Sequence, residues 1–186
     1  MRLAMTGFLL ATLSTAIGAP APGNKYQEMA DEMDWDWPKE KASLKYCSEH
    51  YKGAFELEME TATEQFARST LLKFKDSEGK KFFSLLAHAN TVFVEKGNVL
   101  YYTDFSPYSS GCTLIAYDLQ TSKELWKTDL QGLGPIKHFK YRNTVALDIK
   151  EGTLRVLGNE SSGKYVEFVD MKTGKTVGHR IFKDEK

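Results

Sequence analysis

The chain has 186 residues, and its 25 basic and 25 acidic side chains balance. That length suits one domain of ordinary size, able to bury a core. The charge balance argues against a general nucleic-acid binder, which needs a basic field to neutralise phosphates.

The first residues read as an export signal. Arg2 gives a short positive start, Leu3 to Ile17 is an uncharged and mainly apolar run, and Ala16-Ile17-Gly18 supplies a small-residue cleavage site before Ala19. The alternative is an uncleaved anchor, but the run is shorter than the ~20 residues a span requires and is diluted by Thr6, Thr12, Ser14 and Thr15. The expectation is a signal peptide over residues 1–18 and a secreted or periplasmic protein without a membrane span.

Residues 19–45 read as a linker with a short helical or irregular segment. Ala19 to Asn24 is a stiff, Pro-rich spacer. Tyr26 to Met33 fits two turns of helix, with Tyr26, Met29, Ala30 and Met33 on one stripe. Asp34-Trp35-Asp36-Trp37-Pro38 follows, either as a docking arm or as aromatics packed on their own domain. Lys39 to Tyr46 is charged, and irregular or a short helix. Cys47 and Cys112 form an even pair in a chain read as exported, so a disulfide between them is expected, the alternative being two free buried thiols.

Residues 46–186 read as strands. Phe55, Leu57 and Met59 alternate with Glu56, Glu58 and Glu60, a half-buried strand with an acidic outer face. Thr70 to Phe74 and Lys81 to Leu86 flank a hairpin loop at Asp76 to Gly79. Further strands are expected over residues 91–95, 99–105, 112–118, 124–128, 145–149, 153–157, 165–170 and 176–182.

These strands repeat. Asn90-Thr91-Val92 recurs as Asn143-Thr144-Val145, Ser109-Ser110-Gly111 as Ser161-Ser162-Gly163, and Asp118 to Lys123 as Asp170 to Lys175, at offsets of 52 or 53 residues. One unit covers 90–130 and a second 143–183. Residues 46–89 form a degenerate third, with Asp76, Gly79-Lys80 and Phe83 in the matching places. Local chemistry explains the pattern. Asp118 is placed to accept backbone N–H groups at the start of the loop, and Thr121 to add a hydroxyl bond to the loop backbone. Gly174, and Ser122 in the matching place, are expected in the left-handed conformation. Trp126 is placed to fill space between packed sheets.

Ala116-x-Asp118-x-x-Thr121-Ser122-Lys123-x-x-Trp126 resembles the repeat of the PQQ-type, or quinoprotein-like, β-propellers, with Ser122 in place of a glycine. The second unit keeps Asp170, Thr173, Gly174 and Lys175 but has Gly178 where the tryptophan belongs. The resemblance implies blade-like four-stranded sheets docked through the tryptophan. It does not imply the quinone, because cofactor-bearing members are large closed propellers; no cofactor is expected.

Two clear units and one degenerate one are too few for typical closure with 4–8 blades. The expected fold is therefore all-β, an incomplete propeller-like array of antiparallel meanders with a short N-terminal helical segment. An up-and-down β-barrel is the alternative. Because Gly178 replaces the docking tryptophan, residues 176–182 are expected to expose an edge where a partner or second copy can pair.

The chemistry-bearing residues are scattered. His50, His88, His138 and His179 form no close-spaced set, and the chain carries no nucleophile elbow, phosphate loop or dinucleotide fingerprint. Lys137, His138, Lys140 and Arg142 form a candidate contact patch with Phe139 and Tyr141 between them, or a solvated connecting strand. Tyr101, Tyr102, Phe105 and Tyr108 line a binding face or pack across strands. The functional expectation is a non-catalytic binding or scaffold module for a protein or envelope polymer. The alternatives are a small-ligand carrier with a barrel interior and an enzyme without a recognisable motif.

Overall fold

The computed structural model describes residues 23–36, 39–64, 67–88, 91–104, 112–130, 144–160 and 163–182. Their helical part comprises α1 (Lys25–Glu32), a 3-10 turn (Lys39–Ala42) and α2 (Leu44–Glu49). Eleven strands follow. β1 (Glu56–Glu64), β2 (Ala67–Lys75) and β3 (Lys81–Ala87) make a first sheet. β4 (Phe93–Lys96), β5 (Val99–Asp104), β6 (Thr113–Asp118) and β7 (Lys123–Asp129) make a second. β8 (Thr144–Lys150), β9 (Thr153–Glu160), β10 (Gly163–Val169) and β11 (Thr176–Phe182) make a third. Within each sheet the strands pair antiparallel with their neighbours in sequence. The sheets are open, so the barrel alternative is overturned and the all-β meander stands.

The sheets form layers, and the side-chain pattern of each follows from its place. The inner strands of the second and third sheets bury both faces. In β5, Leu100 and Tyr102 face the first sheet, while Val99 and Tyr101 face the third. In β6, Ile115 and Tyr117 face one way, and Leu114 and Ala116 the other. Such strands must be apolar at successive positions, unlike the half-exposed β1. Between the first and second sheets lie Leu72, Phe74, Ala87, Phe93 and Leu119. Between the second and third lie Leu114, Ala116, Val145, Leu154, Val156 and Val169.

The two ends of the stack are finished differently. On the outer face of the first sheet, Glu58 pairs with Lys75 and Glu60 with Lys73. Exposed pairs of this kind add little stability, but they keep a terminal face soluble. The outer face of the third sheet is apolar: Ala146, Leu157, Val166 and Phe168 are covered by Ala30 of α1 and by Ala42. Trp35 joins this layer edge-on to Phe182 at 5.2 Å, so it packs on its own domain. Trp37 lies outside the described residues. Tyr101 and Tyr102 are buried between sheets, as cross-strand packing requires; Phe105 and Tyr108 lie outside the described residues.

The same corner recurs in all three sheets. Each has a register shift just before an aspartate: Phe74/Lys75 before Asp76, Ala116/Tyr117 before Asp118, and Phe168/Val169 before Asp170. Each aspartate then accepts two loop N–H groups: from Glu78 and Lys80, from Gln120 and Thr121, and from Lys172 and Thr173. Thr173 also donates its hydroxyl to Asp170 at 2.8 Å. Each corner closes through a left-handed residue: Gly79 at φ 77°, Ser122 at φ 57° and Gly174 at φ 70°. The donors hold the carboxyls of Asp118 and Asp170 below the usual carboxylate range, led by the Thr121 backbone N–H in one and by Thr173 in the other.

Three residues past the lysine that follows each corner comes the docking position. In the first sheet it is Phe83, stacked on Tyr117 of the second at 4.1 Å between ring centres. In the second it is Trp126. Its indole N–H donates to the carbonyl of Met171 at 3.0 Å, and its ring lies on Gly174. In the third it is Gly178, whose missing side chain admits α1: a Cβ there would stand 2.5 Å from the carbonyl oxygen of Tyr26.

This overturns the expectation of an open edge at residues 176–182. The side-chain amide of Gln27 acts as a substitute strand, donating to the carbonyl of His179 at 2.9 Å and accepting its N–H at 3.1 Å. Asn24 caps α1 by accepting the N–H of Tyr26 and also donates to the Val177 carbonyl. Arg180 reaches back to the carbonyls of Asp31 and Met33. A covered edge is protected against strand addition.

Candidate functional site

The corner residues Asp118, Thr121, Trp126, Asp170, Thr173 and Gly174 are consumed in holding hairpins and docking sheets. Lys137, His138, Lys140 and Arg142 lie outside the described residues. The cysteine pairing is overturned: Cys47 and Cys112 are both free. Cys112 is 3% exposed in the core between the second and third sheets, its thiol directed at the carbonyl of Thr113. Cys47 belongs to α2, its sulfur facing the carbonyl of Lys41 at 4.0 Å. Burial pushes both thiols above the ordinary cysteine value.

The structure brings together a different set. A cleft of about 280 Å³ lies where α2 and the residues after it cross strands β4 and β8. Its apolar lining comes from Phe93, Val94 and Leu147. Its polar lining comes from the 3-10 turn, α2 and the segment leading into β1, together with Glu95 of β4 and Asp148 of β8.

Local chemistry fixes these side chains. Ser43 caps α2 by accepting the N–H of Tyr46 at 3.0 Å. The helix spans only Leu44–Glu49, and its C-terminal neighbour His50 closes it by donating its N–H to the carbonyl of Tyr46. The His50 ring stacks on the Tyr46 ring, 3.9 Å between centres, and its Nδ1 lies 3.0 Å from the same carbonyl. That contact makes Nδ1 the donor and leaves Nε2 as the second polar atom of the ring. Both rings of the pair line the cleft.

Both carboxylates in the lining are already engaged. Glu95 accepts the N–H of Ala54 at 2.7 Å and the hydroxyl of Tyr51. Burial, followed by the Glu95 carboxylate, pushes the Tyr51 hydroxyl far above its ordinary value, so it remains a donor. Gly53 gives this pair its room, because a Cβ there would overlap both the Tyr51 hydroxyl and Glu95. Asp148 takes a two-pronged bond from Arg155, with Nε to Oδ1 at 2.8 Å and Nη2 to Oδ2. That bond raises the guanidinium further above its usual value. Lys41 and Lys52 also line the cleft, and neither forms an ion pair among the described residues.

Sequence reasoning missed this grouping. His50 reads as an isolated histidine, Cys47 as half of a disulfide, and Lys41 as part of an irregular charged stretch. The available signal was Tyr46 and His50, four apart at the end of a short helical segment. No grouping of three or more histidine, cysteine or acidic side chains suited to a metal occurs among the described residues. No family model matches the chain, and no curated protein is similar to it.

Proposed function

We propose that this chain is an exported, non-catalytic β-repeat protein that serves as a binding or scaffold module for a protein or envelope polymer. The observation that carries this reading is the cleft beside β4 and β8, set in a stack with a charged outer face at one end and a helix packed on the other. Three layers locked through Phe83, Trp126 and Gly178 give such a platform fixed geometry, which lowers the ordering cost of recognition. The resemblance of residues 116–126 to a quinoprotein-like blade repeat supports the display role, since blades act as rigid supports for loops. Residues 1–18 supply the export half of the proposal.

The test is co-sedimentation of the protein beginning at Ala19 with purified, insoluble envelope polysaccharide, together with cross-linking to intact envelopes. Saturable depletion from the supernatant, or one reproducible cross-linked partner, is the expected result. Protein that stays wholly in the supernatant and cross-links to nothing would reject the binding role.

A further inference from the structure

We propose that the cleft between α2, β4 and β8 is a binding site for a ring-sized organic anion, namely a sugar acid, free or as one unit of an acidic polysaccharide. The inference rests on the binding role proposed above and names its ligand. Charge compensation inside the lining leads to it. Asp148 is neutralised by the two-pronged bond of Arg155. Glu95 spends its two oxygens on Tyr51 and Ala54. Those two donors are neutral, so Glu95 keeps its charge; Lys41 and Lys52, which form no ion pair among the described residues, outnumber that one carboxylate, and the charge left for a ligand to answer is positive. A lysine ammonium is a compact cation on a flexible stem, suited to one carboxylate rather than to a planar two-point clamp.

Shape supplies the second half. A volume of about 280 Å³ is at the lower end of ligand pockets, enough for one ring and its substituents. Tyr46 and His50 both line the cleft as a stacked pair, which holds the two rings in place as apolar surface for the C–H groups of a sugar ring. The Nε2 of His50, on the far side of the ring from the bonded Nδ1, is a polar atom able to meet a sugar hydroxyl. Carboxylate towards the lysines and ring against the aromatic pair is thus the orientation the lining favours. Neutral sugars satisfy only half of it.

The experiment is a titration of the protein beginning at Ala19, followed by backbone amide shifts, with glucuronate, a glucuronate hexamer and glucose as probes. Glucuronate should move amides within residues 41–53, 93–95 and 147–148, with glucose at least tenfold weaker. Lys41→Gln combined with Lys52→Gln should weaken glucuronate binding at least tenfold, with an unchanged circular dichroism spectrum. Both lysines are exposed, so the fold does not depend on them. His50→Ala should weaken it severalfold. A hexamer at least tenfold tighter per ring identifies a polymer as the source, and equal affinity per ring identifies the free acid. Equal binding of glucose, shifts mapping elsewhere, or indifference to the lysine pair would overturn the proposal. If envelope polysaccharide still co-sediments with the double lysine variant at unchanged affinity, the cleft assignment falls and the broader binding role stands.

Discussion

Trp126→Ala is the perturbation that tests the layered architecture most directly. A tryptophan buries up to ~250 Å² when fully enclosed, and this one is half-buried, so about 100 Å² of contact is lost. At ~25 cal/mol per Å² that is about 2.5 kcal/mol. Losing the bond to the Met171 carbonyl adds about 1 kcal/mol. The expected total is about 2–4 kcal/mol, at or below the range for a fully enclosed aromatic. Trp126→Phe keeps most of the ring contact and should cost only about 1 kcal/mol. Gly174 gives an internal check. An added Cβ there meets the Trp126 ring at 2.6 Å, on a residue already at φ 70°. Gly174→Ala should cost about 2 kcal/mol in the native background but only about 1 kcal/mol once Trp126 is alanine. That lower figure is what Gly79→Ala should show, since its corner has the same φ sign and open space around it. Urea unfolding monitored by far-UV circular dichroism measures all of these. A cost under about 1 kcal/mol for Trp126→Ala, or equal costs for Gly174→Ala in both backgrounds, would refute the docking role.

Two other outcomes follow from the packing. Gly178→Ala should loosen α1, because the new Cβ meets rigid backbone at Tyr26 and Gln27; limited proteolysis should cut at Lys25 sooner than in the parent, and unchanged cleavage would show that α1 docks otherwise. Unreduced protein, denatured and alkylated, should gain two alkyl groups by mass, and in the native state Cys47 should react before the deeply buried Cys112; failure to alkylate without a reductant would restore the disulfide.

Much of the fold was legible because strands and corners are local. Phe55 and Leu57 alternate with Glu56 and Glu58 because the start of β1 has one wet face, whereas Met59, expected on the buried face, is itself exposed. Asp170 to Lys175 reads as a hairpin because its bonds join residues a few positions apart. Even the degenerate unit is readable at Asp76 and Gly79, where the same loop is one residue shorter. What resisted reading was distant. The contact of Gln27 with His179 spans 152 residues, and nothing near Gln27 marks it as a substitute strand. Gly178 reads as a lost tryptophan, whereas it makes room for a helix from the other end of the chain. An even cysteine count is a compositional cue, and it failed: both thiols are free, although Cys47 packs against the core cluster that holds Cys112. The cleft was illegible because Lys41 and His50 meet Glu95 and Asp148 only after three layers have stacked.

The docking of α1 on β11 also sets an order of events at the ribosome and beyond. Every sheet closes from neighbouring strands, so each can form as soon as its own residues have emerged. The helix that covers the third sheet is made first, yet its binding surface is made last, some 150 residues later. At ~5–20 residues per second, that interval is on the order of ten seconds or more. Throughout it, the apolar stripe of Tyr26, Met29 and Met33 has no sheet to cover. Closing so long a loop places this docking at the end of folding rather than at its start. A chain made from its N-terminus therefore carries this helix undocked and sets it in place only after Phe182 has followed.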